Sequence, residues 1–334
     1  MNIHMPINWE QLIDSGEYVT VDGTDVHYYD MGTGDALVLL HGGGLTSCAE
    51  INWGAVIEPL SEECRVIALD QPGFGFTAPR DDRDYLPRER ADFVVDFLEE
   101  LGVDSATIAG NSRAGFQAIY LALEYPNLVE NLIVVNAGSA SRELVEGEVP
   151  GNLESEEPTL DGAREFLEGF REQHLVRPDY HPLFRSGITD RAVKRVYEIQ
   201  QGNWEFTNAR SRKIQTSAKS LNKVLSYEGT HITKSAVDVK QPSLVTWGTK
   251  PYEGWPREEG EPEDDPPKKL VEVRPETLDP YERDEGFDMG IRLFQRLPNG
   301  EIHIWHDTKH HVMTDKAPRW CDVVSSFVTA ESDS

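Results

Sequence analysis

The sequence predicts an α/β fold, a mostly parallel sheet with helices on both faces and a helical block inserted late in the chain. Three observations predict it. Short continuous apolar runs recur at 36–40, 66–69, 106–109, 132–135 and 243–247, each with the length and composition of a strand buried on both faces. Residues 89–101 place Phe93, Val94, Phe97, Leu98 and Leu101 at helical spacing just before one such run, as a crossover helix between parallel strands would. From 138 to about 240 the pattern changes to amphipathic helices, among them 163–174 and 190–200, before a strand returns.

Taken in order, Glu17 to Val21 and Thr24 to Tyr29 read as an antiparallel hairpin turning at Asp22-Gly23. The strand 36–40 ends at His41-Gly42-Gly43-Gly44, and the strand 66–69 ends in the Gly/Pro turn Asp70-Gln71-Pro72-Gly73-Phe74-Gly75. The run Ala106-Thr107-Ile108-Ala109 enters Gly110-Asn111-Ser112-Arg113-Ala114-Gly115, which leads into a helix. Residues 301–305 read as the last strand, followed by Lys309-His310-His311 and a helix from Trp320 to Val328. The expected organisation is a first core part at 1–138, a helical lid at 139–240 and a second core part at 241–334. That second part carries a Pro-, Glu- and Asp-rich insertion at about 251–280, too polar to order itself alone.

Three of these turns carry chemistry. A serine at the apex of a strand-to-helix turn flanked by small residues has the layout of a nucleophile elbow, in which strained backbone leaves Oγ exposed above the sheet. By itself the turn reads equally well as a helix N-cap serine. The glycines after His41 free backbone N–H groups to face a developing oxyanion, and a histidine follows the last strand. Oxyanion loop, serine and histidine in that order match the α/β-hydrolase plan. That order decides between the two readings of Ser112.

Composition bounds the rest. The chain has 334 residues, enough for one catalytic domain with an inserted subdomain. No apolar run approaches a membrane span and residues 1–10 lack a signal-peptide plan, so the expected location is cytoplasmic. Cys48, Cys64 and Cys321 have no metal-ligand spacing and are an odd number, so packing is their expected role. With 59 Asp+Glu against 32 Lys+Arg the net charge is −27, which disfavours nucleic acid and anionic membranes as partners and leaves a small-molecule substrate. The oligomeric state stays open, a homo-oligomer included. This acidity resembles that of halophilic cytoplasmic proteins; an acidic mesophilic enzyme with a disordered loop is the alternative. In either case, raising monovalent salt from low millimolar to molar should raise the thermal midpoint, because the Debye length shrinks to about 3 Å and the acids cease to repel one another. A midpoint that falls or stays flat in a salt series contradicts this.

His41-Gly42-Gly43-Gly44, Asn52-Trp53, the turn 69–75 and Gly110-Asn111-Ser112 together resemble the meta-cleavage-product hydrolases, α/β-hydrolases that cut carbon–carbon bonds in ring-fission dienoates. The resemblance spans the core strands and part of the lid. It implies Ser112 as nucleophile, His310 as its base, the backbone N–H groups of Gly43 and Arg113 as oxyanion donors, and Asn52 and Asn111 near the substrate's carboxylate and keto oxygens. No cofactor is implied, and the His306-Asp307 and His310-His311 cluster lacks the ligand spacing and convergent carboxylates expected of a metal site.

His311 is a rival base by spacing, and alignment of Lys309-His310 with the family's Gly-His pair favours His310. His41 is expected to support the oxyanion loop, and His303 and His306 to be strand and turn residues. Three positions depart from the family. Leu45 stands where it has proline. The lid arginine falls at Val196, with Arg195 one place away and about 100° round a helix. The usual acid just past Trp247-Gly248 is absent, and Glu253 is the nearest substitute, with Glu282 as the alternative.

The expected activity is therefore serine hydrolysis, of ring-fission dienoates or related vinylogous diketones. The competing readings are a carboxylesterase or lactonase and a non-catalytic binding protein of the same fold. Epoxide hydrolase and haloalkane dehalogenase chemistry are disfavoured, since both need a carboxylate where Ser112 stands.

Overall fold

The computed structural model describes residues 8–80, 83, 85–137, 156–173, 181–182, 187–215, 226–228, 230–249, 288–306 and 308–329. The acidic insertion, Glu253 and Glu282 lie outside these residues.

Strands β1 (Glu17–Val21) and β2 (Thr24–Met31) form the expected hairpin, with Val21 opposite Thr24. Its two-residue turn has positive φ at both Asp22 (46°) and Gly23 (76°), the twist that matches two right-handed strands. The apolar runs become β3 (Ala36–Leu40), β4 (Arg65–Leu69), β5 (Ala106–Asn111), β6 (Val129–Val135), β9 (Ser243–Gly248) and β10 (Gly300–Trp305). A small separate hairpin pairs β7 (Ser226–Tyr227) with β8 (Thr230–His231). The main sheet runs β1-β2-β4-β3-β5-β6-β9-β10, antiparallel through β1, β2 and β4 and parallel from β4 onward.

Side chains alternate across the sheet, so each parallel strand feeds two core layers. In β3, Leu37 and Leu39 enter one layer while Ala36, Val38 and Leu40 enter the other. The first layer receives α1 (Trp9–Asp14), α2 (Ala49–Trp53), α3 (Ile57–Ser61), α6 (Leu160–Gln173), α7 (Asp190–Gln215), α10 (Val312–Asp315) and α11 (Ala317–Thr329). The second receives α4 (Pro87–Glu100), α5 (Ala114–Glu124), α8 (Ile232–Ser235) and α9 (Asp288–Phe294). Trp320 docks α11: its ring lies 5.9 Å from that of Trp53 and its Nε1–H donates to Thr246 Oγ1 at 3.2 Å. The three cysteines are buried free thiols.

Two helices differ from expectation. The helix expected at 190–200 continues to Gln215, and the last helix starts at Ala317 rather than at Trp320. In both cases a sparsely apolar stretch extends a helix already docked on the core, which propensity alone does not reveal. Among the described residues, no helix is long and apolar enough to cross a membrane.

Topology positions the site. From β3 the chain places β4 on one side and β5 on the other, so the loops leaving β3 and β5 diverge at a switch point of the strand order. A crevice opens between them. His41-Gly42-Gly43-Gly44 lines one side and Ser112 the other.

Candidate active site

Ser112 directly follows β5 with φ of 56°, a conformation strained for any residue with a Cβ. The surroundings explain why its neighbours are small. A Cβ on Gly110 would collide with the backbone of Ala114, and one on Gly115 with the side chain of Ala137. Gly42 closes on the serine from the other loop, where a Cβ would lie 2.8 Å from that of Ser112. Ser112 donates its own N–H to Val135 O at 2.9 Å, fixing the turn to the end of β6. These are the features of an elbow rather than of an N-cap; the hydroxyl caps nothing, and the N-cap position of α5 is Arg113.

Among the described residues, neither the Gly43 nor the Arg113 N–H donates a hydrogen bond. Both remain available beside Ser112. His41 holds the loop that carries Gly43. Its Nδ1–H donates to Gly42 O and its Nε2 accepts the Gln71 N–H, each at 2.9 Å, which fixes one neutral tautomer.

Burial pushes the His41 imidazole down to about 4. An unfolded chain protonates this histidine near 6.5, so between those values the unfolded state binds the extra proton and stability rises with pH. Acidification from about 6.5 to about 4 should therefore cost on the order of 3 kcal/mol from this group. Urea denaturation across that window checks it: His41→Gln should flatten the slope, and an unchanged slope would remove His41 as its source.

Asn52 and Asn111 are both buried, and Asn52 Nδ2 points to Asn111 Oδ1 at 3.4 Å. Neither lies in a loop turn. Asn52 sits in α2, where its Oδ1 accepts from Cys48 N, and Asn111 closes β5 with Nδ2 donating to Val135 O. The structure thus brings together Ser112, Asn111, Asn52 and the glycine loop.

His310 reaches the same end of the sheet through a residue the sequence reading missed. Asn136 follows β6 with φ of 43°, donates Nδ2 to the carbonyls of Lys309 (3.0 Å) and His310 (2.7 Å), and accepts the Gly248 N–H at 3.0 Å. One amide therefore ties the end of β6, the end of β9 and the histidine loop. Asp315 adds a second tie by accepting the Lys309 N–H at 2.8 Å. The His311 ring lies 5.5 Å from that of His310 and edge-on to Phe170 of α6 at 6.1 Å. The signal for Asn136 was an asparagine directly after a buried strand, a common site of left-handed backbone.

Helix α7 is clamped over these loops by two further residues. Asn203, fully buried, donates to Leu45 O and Ser47 O and accepts the Gly75 N–H, so it spans the loops after β3 and β4. Its spacing from Val196 and Ile199 places it on the apolar stripe of the helix, which was its sequence signal. Arg195 does not face the site. It forks onto Glu50 (2.6 and 2.9 Å), which also accepts from Tyr29, and stacks over Phe76. Burial opposes the Arg195 charge, yet Glu50 holds its pKa above the usual guanidinium value. Val196 is fully buried in the core. Below the loops, Asp70 bonds His27 at 2.8 Å and accepts from Ala49 N; burial works to raise its carboxyl, and these partners bring it below the ordinary value.

Comparison with known proteins agrees with this geometry. The chain is 26% identical over 94% of its length to a 2-hydroxy-6-oxononadienedioate/2-hydroxy-6-oxononatrienedioate hydrolase of Burkholderia vietnamiensis, covering 96% of that protein. It is 25% identical over 91% to a 2-hydroxy-6-oxo-6-phenylhexa-2,4-dienoate hydrolase of Burkholderia cepacia, covering 91% of it. A solved meta-cleavage product hydrolase, CumD of Pseudomonas fluorescens IP01, superposes with a TM-score of 0.64 at 21% identity over 94% of this chain and 98% of that one. The model of the alpha/beta hydrolase fold family matches residues 35–252, well over half of the chain. With an eight-stranded sheet of the right order and a serine at its strained elbow, the chain is a hydrolase that belongs to the alpha/beta hydrolase fold family.

Proposed function

We propose that the protein is a serine hydrolase that cleaves carbon–carbon bonds in ring-fission dienoates, with Ser112 as nucleophile and His310 as its base. The observation that carries the serine chemistry is the positive-φ elbow at Ser112, set against Gly42 with the N–H groups of Gly43 and Arg113 undonated. In this reading His310 takes the Ser112 proton or shuttles it in ketonising the dienol. The two N–H groups then stabilise negative charge on the attacked carbonyl. Asn52 and Asn111 hold substrate oxygens beside the serine. His310 is preferred to His311 because Lys309-His310 aligns with the Gly-His pair of the family that the chain resembles. Glu253 completes the triad, with Glu282 as the alternative, and the segment 139–240 acts as a lid. The substrate class follows the dienoate hydrolases that the chain resembles along nearly its whole length.

One observation favours a second reading, a carboxylesterase or lactonase. The lid position that supplies an arginine in the dienoate family is the buried Val196, and neighbouring Arg195 is committed to Glu50. Spectrophotometric loss of a ring-fission dienoate chromophore, run beside para-nitrophenyl ester hydrolysis, separates the two. Turnover of the dienoate supports C–C cleavage; ester turnover without it assigns the second reading. An active-site phosphonate that fails to label Ser112 rejects both.

A further inference from the structure

Arg113 has a second face besides its backbone N–H. Its guanidinium lies directly over Gly43, in the space that a Cβ there would fill. The glycine therefore serves two ends, freeing an N–H and admitting the arginine. A narrow cleft beside the elbow is lined by Gly42, Gln71, Arg90, Arg113 and Gln117. Two cationic side chains thus border a depression next to Ser112, in a chain of net charge −27.

The charge on Arg113 is uncompensated among the described residues. Two other arginines have carboxylates, Arg195 with Glu50 at 2.6 Å and Arg65 with Asp30 at 2.7 Å, and the buried Arg90 stacks over the rings of Phe74, Tyr85 and Phe206. Arg113 has no such partner there, and its burial lowers the guanidinium pKa with no nearby carboxylate to oppose the shift. A sheltered cation without a counter-charge is costly, and a ligand anion removes that cost. In the same cleft, the buried Gln71 Oε1 and Gln117 Oε1 accept no hydrogen bond. They would be satisfied by a hydroxyl or water accompanying an anion. Across the site, α7 offers only Val196 and the committed Arg195 at the position of the family's arginine.

We infer that the Arg113 side chain forms an anion subsite on the oxyanion side of the crevice, and that the preferred substrates carry a carboxylate close to the carbonyl that Ser112 attacks. This rests on the serine-hydrolase reading and adds to it the side chain by which the substrate's charge is read. It applies to a dienoate or an ester alike. Guanidinium and carboxylate pair with planar, bidentate geometry, so discrimination against a neutral isostere should be about tenfold or more.

The test compares mono-para-nitrophenyl glutarate with para-nitrophenyl valerate. The wild-type enzyme should favour the glutarate at least about tenfold in kcat/KM, mostly through KM. Arg113→Met should lower that ratio about tenfold, and Arg113→Lys should restore part of it. No preference in the wild type, or a ratio unchanged in Arg113→Met, overturns the subsite. If Arg113→Met folds poorly, inhibition of the wild type decides: glutarate should compete where pentane-1,5-diol does not, and equal inhibition by both overturns the inference. Equal turnover of both esters would sink the subsite alone, while absence of turnover of these esters and of the ring-fission dienoate would sink the proposed serine chemistry. In that last case, calorimetric titration of glutarate into the Ser112→Ala protein still decides the subsite, binding supporting it and no heat overturning it.

Discussion

Ser112→Ala and His310→Ala should each lower kcat by about 10⁴-fold or more, and the double variant should be little worse than either. The reason is that a nucleophile and its base act as one unit: without the proton acceptor the hydroxyl is a poor nucleophile, and without the hydroxyl the base has nothing to activate. The fold gives both residues rigid supports, Ser112 through its N–H on Val135 and His310 through Asn136. Losses that multiply in the double variant would show two independent contributions. The same assay locates the acid. Glu253→Gln keeps shape and removes charge, so a loss approaching that of His310→Ala assigns the role to Glu253, whereas a damaging Glu282→Gln with a neutral Glu253→Gln moves it there. If both are neutral, neither carboxylate orients the imidazole.

Arg195→Met should destabilise the protein by about 3–5 kcal/mol, because it leaves the carboxylate of Glu50 buried without its cation. Glu50 is 1% exposed and is the point where α7 is fastened to the core beside Tyr29. The loss should extend to kcat/KM, since the same helix carries Asn203 onto the loops after β3 and β4. The double variant Glu50→Gln with Arg195→Met should recover much of the stability by removing the stranded charge. Urea unfolding of the four proteins measures the coupling. A single-variant cost below about 1 kcal/mol, or additivity in the double variant, would mean that solvent reaches Glu50 and that the pair does not anchor α7.

The sequence was most legible where structure is local. The hairpin at Asp22-Gly23 could be read because a two-residue turn demands positive φ, which few residue pairs supply. The elbow at Ser112 could be read because small residues on both sides serve packing that any strand-to-helix turn of this sharpness requires. The core strands could be read because a strand buried on both faces must be apolar throughout. A triad acid was not legible, since the Pro-, Glu- and Asp-rich segment after Trp247-Gly248 offers many carboxylates at no fixed spacing. Residues that act across the fold were not legible either. Asn136 and Asn203 carry a signal only in their positions, after a buried strand and on an apolar helix stripe, and the Glu50–Arg195 pair looks in the sequence like ordinary polar residues of helices.

What the sequence by itself determined is the inventory: the strands, the strained serine, the glycine loop and the histidine after the last strand, each set by short-range sterics and hydrophobic period. Tertiary structure alone decided how these meet. Strand order placed the loops of β3 and β5 on opposite sides of a crevice, and Asn136 joined strands separated by more than a hundred residues to the histidine loop. It also turned Arg195 away from the site and Arg113 over Gly43. For Arg195 the physical reason is that a buried charged side chain settles where a partner meets its burial cost. That partner comes from another part of the chain, so its position is fixed only once the sheet and the helices on it have assembled.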